Sequence, residues 1–403
     1  MNDSRLTRRD FVQAGTVAVA GATIPAIRTV YAKNPTKEET SDILNYNEDM
    51  EYRRAGKTDL MVSAVCLGGH WKRVNKVVPD LFQGGSWLSA DLNSKAFEKN
   101  RYDVVSRGID RGINYIDACT KQEVIMYAKA LKGRRDKMYL GFSWYQEEMR
   151  SLCRQMNAAK KAGKPKPPGW ITKMLKQALD HGFKETGLDY VDVWRITCFE
   201  RSSDHTDNQM EECMEALAWA KKSGRARFTG ISSHDRPHIK RWINRAPDEL
   251  EVIVTPYTAK SKLTGAKVEV TEEGRAARIV PVEDSGWEDS LWATMQRNDI
   301  AWFGIKPFAS GSVFKGDSSP GNSHEEEDNR TARLTIRSIL TNPVITAPIP
   351  GVINEEQVDN LAIAVAQRRA LDVEEQSRLD EATEEGFANL PHHYQWLNEW
   401  TYV

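Results

Sequence analysis

Residues 112–143 read GINYIDACTKQEVIMYAKALKGRRDKMYLGFS, and the fold is decided there. Asn114–Cys119 is a nearly continuous apolar run. Gln122–Leu131 carries apolar residues at helical spacing. After a basic turn around Gly133, Met138–Ser143 is apolar again. A strand, a helix and a strand in so short a span form a crossover unit whose two strands run parallel. Strands that are apolar throughout, rather than in alternation, are covered on both faces.

Working outward, the unit recurs. Further strand candidates are Ser63–Gly69, Tyr190–Cys198, Phe228–Ser232, Glu251–Tyr257, Ala301–Pro307 and Val344–Pro350. Helical patterns fall between them at about Lys95–Arg111, Trp170–Glu185, Gln209–Lys222, Pro237–Arg245, Trp287–Gln296, Thr331–Leu340 and Glu355–Gln367. Eight strand–helix units predict an α/β fold, a closed (β/α)8 TIM barrel, with chemistry at the C-terminal ends of the strands. A doubly wound open sheet is the alternative, but no GxGxxG follows a strand and no GxxxxGK[ST] occurs.

Four segments exceed a minimal barrel. His70–Asn93 is long enough to be a lid. Trp144–Gly169, with Lys160, Lys161, Lys164, Lys166 and three prolines, reads as a solvated surface loop. Lys262–Asp284 reads as an added hairpin. Leu371–Val403, with Trp396, Trp400 and Tyr402, is a C-terminal extension expected to pack on the barrel mouth or on a protein partner. The domain plan is a signal at 1–32, a linker at 33–49, the barrel at 50–370 and the extension at 371–403.

Of 403 residues, 40% are hydrophobic, enough for a packed core. The 56 basic and 57 acidic side chains leave a net charge of −1, with no field to hold nucleic acid or an anionic membrane. Cys66, Cys119, Cys153, Cys198 and Cys213 are too scattered for a disulfide scaffold or a CxxC metal site. His392-His393 lacks ligand spacing, so no metal is expected, and the acidic run Glu325–Asp328 reads as a solvated loop. At the N-terminus, Arg8-Arg9 precedes the uncharged stretch Phe11–Ile27 and then Val30-Tyr31-Ala32. This pattern predicts a twin-arginine export signal and a periplasmic or other extracytoplasmic location, with no membrane attachment after cleavage. A membrane anchor is the alternative, but a span needs about 20 apolar residues.

Met50–Gly69 resembles the opening of the aldo/keto reductases. Gly112–Asp117 is similar to their second strand with its catalytic Asp, and Ala130–Lys137 to the turn into the third. Leu188–Asp192, Gly224–Ser232 and Lys306–Gly311 resemble the fourth strand, the fifth strand and the seventh-strand loop. Ile349-Pro350-Gly351 with Glu356-Gln357 is similar to the last cofactor motif. The resemblance runs in order over residues 50–365. It implies an oxidoreductase binding NADP or NAD across the strand ends, with a small carbonyl, alcohol or sugar as substrate. A folded protein loaded in the cytoplasm fits export by the twin-arginine route.

The family's reaction uses Asp, Tyr, Lys and His. A phenol near pKa 10 needs a neighbouring cation to work near neutral pH. Here Asp117 remains. The loop that would carry the Tyr is short, Tyr127 falls inside a helix, and Ser143 and Thr197 stand at the Lys and His positions. Substitutes are therefore needed. Arg195 faces the same way as Thr197 and is expected to meet Asp117, as a replacement cation or a structural buried ion pair. His70 and His234 end strands and are candidate acids or ordinary surface histidines. Cys119 is a nucleophile or a buried apolar residue.

For the cofactor, the resemblance implies Ser232 and Ser233 at the nicotinamide amide and Tyr257 stacked on its ring, with Val254 where a Gln is usual. It implies Phe308, Ser310 and Gly311 at the pyrophosphate, and Gly351, Asn354, Gln357 and Asn360 at the adenosine end. No Arg or Lys for a 2′-phosphate is evident there. Asp117, His70 and Arg195 are the catalytic candidates. The rival function is an inactive barrel used for binding or assembly, and a third is hydrolysis or lyase chemistry by Asp117 with His70.

Overall fold

The computed structural model describes residues 40–198, 205–270, 276–367 and 370–403. The expected signal, 1–32, and linker residues 33–39 lie outside the described residues. An antiparallel hairpin comes first, β1 (Tyr52–Arg54) with β2 (Met61–Ser63). Next come α1 (Lys95–Asp110), β3 (Tyr115–Ala118), α2 (Lys121–Ala130), β4 (Tyr139–Phe142), α3 (Leu152–Lys161), α4 (Trp170–Thr186) and β5 (Val191–Thr197). The chain continues through α5 (Asp207–Lys222), β6 (Ala226–Ser232), α6 (Arg236–Arg245) and β7 (Val252–Pro256) to a second hairpin, β8 (Ala266–Val270) with β9 (Ala276–Pro281). It ends with α7 (Leu291–Arg297), β10 (Ala301–Ile305), α8 (Glu325–Leu340), β11 (Ala347–Ile349), α9 (Glu355–Ala366), α10 (Val373–Ala388) and a 3₁₀ segment, His392–Thr401.

Seven strands form one parallel sheet in the order β3-β4-β5-β6-β7-β10-β11. Residues 66–68 close it into a barrel. Gly68 N donates to Pro350 O at 2.8 Å on one side, and Leu67 N donates to Tyr115 O at 3.0 Å on the other. The eighth strand is thus reduced to two parallel bridges, Leu67 to Ile116 and Gly68 to Gly351. Gly68 is needed at that seam, because a Cβ there would lie 2.7 Å from Pro350 O.

The barrel interior is packed, as its fold demands. Tyr115 stacks on Phe303 at 4.5 Å between ring centroids, within a cluster that includes Cys66, Val193, Val252 and Ala347. The β1–β2 hairpin adds Ala55, Leu60 and Val62 to the same cluster. It sits at the N-terminal end of β3, where Ser63 N donates to Asn114 Oδ1 at 2.9 Å. Helix starts are fixed by side chains: Thr120 with Glu123 and Thr206 with Gln209 form capping boxes on α2 and α5.

Two sequence expectations need correction. Trp144–Gly169 is not a bare loop: a π-helical turn, Gln146–Ser151, leads into α3, whose Leu152 is buried and whose Lys160 and Lys161 sit in the last turn, where the helix dipole favours cations. Glu325–Asp328 is the first turn of α8, where carboxylates suit the positive helix end. The expected hairpin within 262–284 forms as β8–β9. Among the described residues no helix is long and apolar enough to cross a membrane.

Candidate active site

A cavity of about 550 Å³ opens at the C-terminal ends of the strands. Side chains alternate along a strand, and the inward set at this end is Asp117, Arg195, Thr197, Ser232, Val254, Ile305 and Ile349. The first connection adds His70, Trp71, Lys72, Arg73 and Trp87. Tyr145 and Arg150 come from the turn after β4, and Tyr394 and Trp396 from the 3₁₀ segment.

Asp117 and Arg195 form a bidentate ion pair, with Nε donating to Oδ1 at 2.8 Å and Nη2 to Oδ2. They are 4% and 2% exposed, so each charge depends on the other. Register sets Asp117 opposite Gly141, where a Cβ would lie 2.8 Å from Oδ1 and 2.5 Å from the Tyr115 hydroxyl. Burial opposes the charge on Arg195, but Asp117 and Cys119 hold its pKa above the ordinary value. Nη1 of Arg195 is buried without a nitrogen or oxygen partner. Burial pushes the adjacent Cys119 thiol up to about 11, against the pull of Arg195. A raised thiol pKa disfavours the nucleophile reading of Cys119. Both oxygens of Asp117 are engaged by Arg195, so the hydrolytic or lyase reading would have to draw its base from His70.

The positions at which the resemblance implies Lys and His carry a hydroxyl chain. Thr197 Oγ1 lies 3.0 Å from Ser143 Oγ, which donates to Glu148 Oε2 at 2.6 Å. Trp194 Nε1 donates to the other oxygen, Oε1, at 2.8 Å. Burial pushes the Glu148 carboxyl up, with Ser143 and Trp194 opposing.

His70 is held in place by Glu123. The carboxylate accepts from the backbone N of His70 at 2.6 Å, and Oε1 is 3.0 Å from Nδ1 of the ring. Its second oxygen accepts from Cys119 N at 2.8 Å and Thr120 N at 3.1 Å. Burial works against this charge, yet the His70 ring and the backbone N–H groups of Cys119 and His70 bring Glu123 down to about 2. His70 adopts φ +58°, a left-handed conformation rare outside glycine that marks stored strain. Its ring packs 4.9 Å from Trp87. Gly69 leaves room for the carboxylate, since a Cβ there would overlap it.

Ser232, Ser233, Phe308, Ser310, Gly311, Gly351, Gln357 and Asn360 line the same cavity as His70, Asp117 and Arg195. Lys306, Ala309 and Ser310 are all left-handed, at φ +62°, +45° and +65°, a concentration of strain typical of ligand loops. Two expected cofactor residues are elsewhere. Tyr257 points into the helix layer, packing edge-on against Trp302 at 5.5 Å while its hydroxyl accepts from Asn342 Nδ2 at 2.8 Å. Asn354 caps α9, accepting from Gln357 N at 3.0 Å. Tyr127 is buried, donating to Gly68 O at 2.6 Å. His234 lines the cavity beneath Trp396, with ring centroids 4.3 Å apart.

Sequence reasoning missed Glu123, Glu148, Tyr145, Lys72 and Tyr394. Glu123 had a signal, the Thr120-x-x-Glu123 capping pattern. Tyr145 follows the Lys-equivalent Ser143 by two residues, and its hydroxyl accepts from Arg150 Nε at 3.3 Å. Glu148 and Tyr394 had none.

The aldo/keto reductase family model matches residues 83–384. L-glyceraldehyde 3-phosphate reductase of Escherichia coli, from strains K12 and O157:H7, is 27% identical over 199 residues, 48% of this chain and 48% of that protein. The chain thus spans about half the length of the curated relatives it matches. Among solved structures, the holo form of aldo-keto reductase AKR11C1 from Bacillus halodurans superimposes with a TM-score of 0.51 at 17% identity, covering 83% of this chain and 96% of that one. That likeness carries the barrel alone. The family match extends over most of the chain, from the first connection into α10, and takes in all seven strands of the parallel sheet: this chain belongs to the aldo/keto reductase family of oxidoreductases.

Proposed function

We propose that the chain is an exported, nicotinamide-dependent oxidoreductase acting on a small carbonyl, alcohol or sugar, with His70 as its proton donor and acceptor. One observation carries the reading: His70, fixed by Glu123, shares one cavity with the Asp117–Arg195 pair and with eight of the ten residues implied for the cofactor.

The residues fit a dinucleotide. The cavity volume of about 550 Å³ suits a cofactor site. Lys72, Arg73 and Lys306 line it beside Ser310 and Gly311, a donor set suited to a diphosphate. Ser232 and Ser233 can hydrogen-bond an amide. When bound, the nicotinamide supplies or accepts a hydride. The chain's own part is proton transfer and electrostatics. The His70 ring, about two-fifths exposed, passes its proton to or from the substrate oxygen while Glu123 at Nδ1 fixes its orientation. The Asp117–Arg195 pair, neutral overall, is a fixed dipole beneath the site. Tyr145 is another group in the cavity able to donate a proton.

Lining residues from α8 and α9 are Asp328, Asn329, Ala332, Gln357, Asn360 and Leu361, with no Lys or Arg among them. The α8 cation beside this lining, Arg333, donates to Asn360 Oδ1 at 2.6 Å and is paired with Glu326, so it is already engaged, and NAD(H) is expected to bind at least as tightly as NADP(H). Titrating the chain with all four nucleotides, following tryptophan fluorescence and melting temperature, tests both points. Binding by none removes the reading. With turnover found on a carbonyl panel, His70→Asn is expected to lower kcat at least about 100-fold while Tyr145→Phe retains most activity; the reverse ranking assigns the proton to Tyr145.

A second reading, a barrel that binds without turnover, draws on the Glu148–Ser143–Thr197 chain that stands where a cation is implied. Saturable nucleotide binding with no hydride transfer to any carbonyl would favour it.

A further inference from the structure

Tyr394 reaches the cavity from a part of the chain that lies beyond the barrel. Its hydroxyl accepts from Lys72 Nζ at 2.8 Å, and the same Nζ donates to Ser310 Oγ at 2.6 Å. Lys306 Nζ lies 5.9 Å from the centre of the Tyr394 ring. Neither lysine pairs with a carboxylate among the described residues. The cluster therefore carries uncompensated positive charge at a half-buried site. Burial pulls the Lys72 ammonium down. Despite burial, Lys306 and Lys72 also draw the Tyr394 hydroxyl below its ordinary range. Both departures are relieved by an anion that takes up the lysines' charge.

The segment carrying Tyr394 is tied down on the far side. Trp396 stacks on His234. Trp400 is 2% exposed, and its Nε1 donates to His234 O at 3.1 Å. Lys262 N donates to Thr401 O at 2.7 Å, Thr264 N to Val403 O at 2.8 Å, and Val403 N to Lys262 O at 3.0 Å. The first connection reaches across to the loop after β10 as well, with Arg73 Nη1 donating to Gly316 O at 2.8 Å and Lys76 paired to Asp317.

We propose that Tyr394, together with Lys72, Lys306 and Ser310, binds the diphosphate of the dinucleotide, and that the segment His392–Thr401 is a clasp that sets how fast the nucleotide leaves. This rests on the nicotinamide reading above. A diphosphate carries the negative charge that the two lysines lack, and a phenol can donate to a phosphate oxygen. A ligand leaving such a site must part Tyr394 from Lys72 and lift Trp396 from His234. Because these contacts would have to part for the ligand to leave, their loss is expected to be read mainly in dissociation.

The test is nucleotide release from the full chain. The protein is loaded with reduced dinucleotide and mixed with excess oxidised dinucleotide, and the nicotinamide fluorescence is followed in time. Tyr394→Phe removes one oxygen and keeps the ring. It is expected to speed release about tenfold, equivalent to about 1.4 kcal/mol. Trp396→Leu, which loosens the segment without touching the lysines, is expected to act in the same direction. Release rates within twofold of the parent in both variants, with melting temperatures unchanged, overturn the clasp. Equilibrium titration separates the two levels. Binding with unaltered release removes the clasp alone, whereas a parent chain that binds none of the four nucleotides removes the nicotinamide reading and the clasp with it.

Discussion

Glu123 is wholly buried and charged, and that combination stands only because four groups surround its two oxygens. An unfolded Glu has a pKa near 4.3, and Glu123 is held at about 2. A carboxyl depressed by folding stabilises the native state above its unfolded pKa, and that contribution fades as the pH falls toward the folded value. Stability should therefore decline between about pH 4.5 and pH 2, by on the order of 3 kcal/mol from this group. Glu123→Gln should lose most of that contribution at pH 7 and flatten the acid limb, as measured by urea unfolding across pH. An unchanged acid limb would show that Glu123 is not the group responsible. The capping role of Glu123 is legible from Thr120-x-x-Glu123. Its grip on His70 is not, because it depends on His70 turning left-handed, and spacing in a sequence carries no such backbone angle. The meeting of Arg195 with Asp117 follows from two-residue alternation on strands that share a layer. The same alternation, counted from inward-facing Val254, turns Tyr257 outward, which the motif-based expectation overlooked.

At the scale of elements, long apolar runs and amphipathic helices were legible, and seven of the eight expected strands pair in one parallel sheet. The first strand was expected as a full member but forms only bridges, since Gly68 and Gly69 make close approach possible without extending the ladder. The β1–β2 hairpin escaped notice because three-residue strands show too little period to read. Helix α3 was hidden by lysines and prolines that suggest a loop, while its single buried anchor, Leu152, is too little to reveal a period. The hairpin fills the end of the barrel opposite the cavity. Leu60, 6% exposed and packed in the interior cluster, should cost about 3 kcal/mol when replaced by Ala. The denaturation midpoint should fall with an unchanged m-value and little effect on nucleotide affinity. A loss below about 1 kcal/mol would mean that the hairpin does not plug the core.

For the whole molecule, the twin arginines and the cavity belong to one proposal, a barrel filled in the cytoplasm and carried out folded. Arg8→Lys with Arg9→Lys is expected to leave the chain in the cytoplasm of a bacterium with a twin-arginine pathway, read by fractionation, with the parent chain found outside. Equal distribution of the two would remove the export reading. The Val403 amide is bonded to Lys262 O and the Thr264 amide to Val403 O, so the tail and the loop after β7 share a short stretch of ladder. Such amides trade hydrogen for deuterium only when the ladder parts. On the clasp proposal, exchange at these two amides is a clock for the parting of the tail from the barrel, readable on the resting protein before any substrate is known.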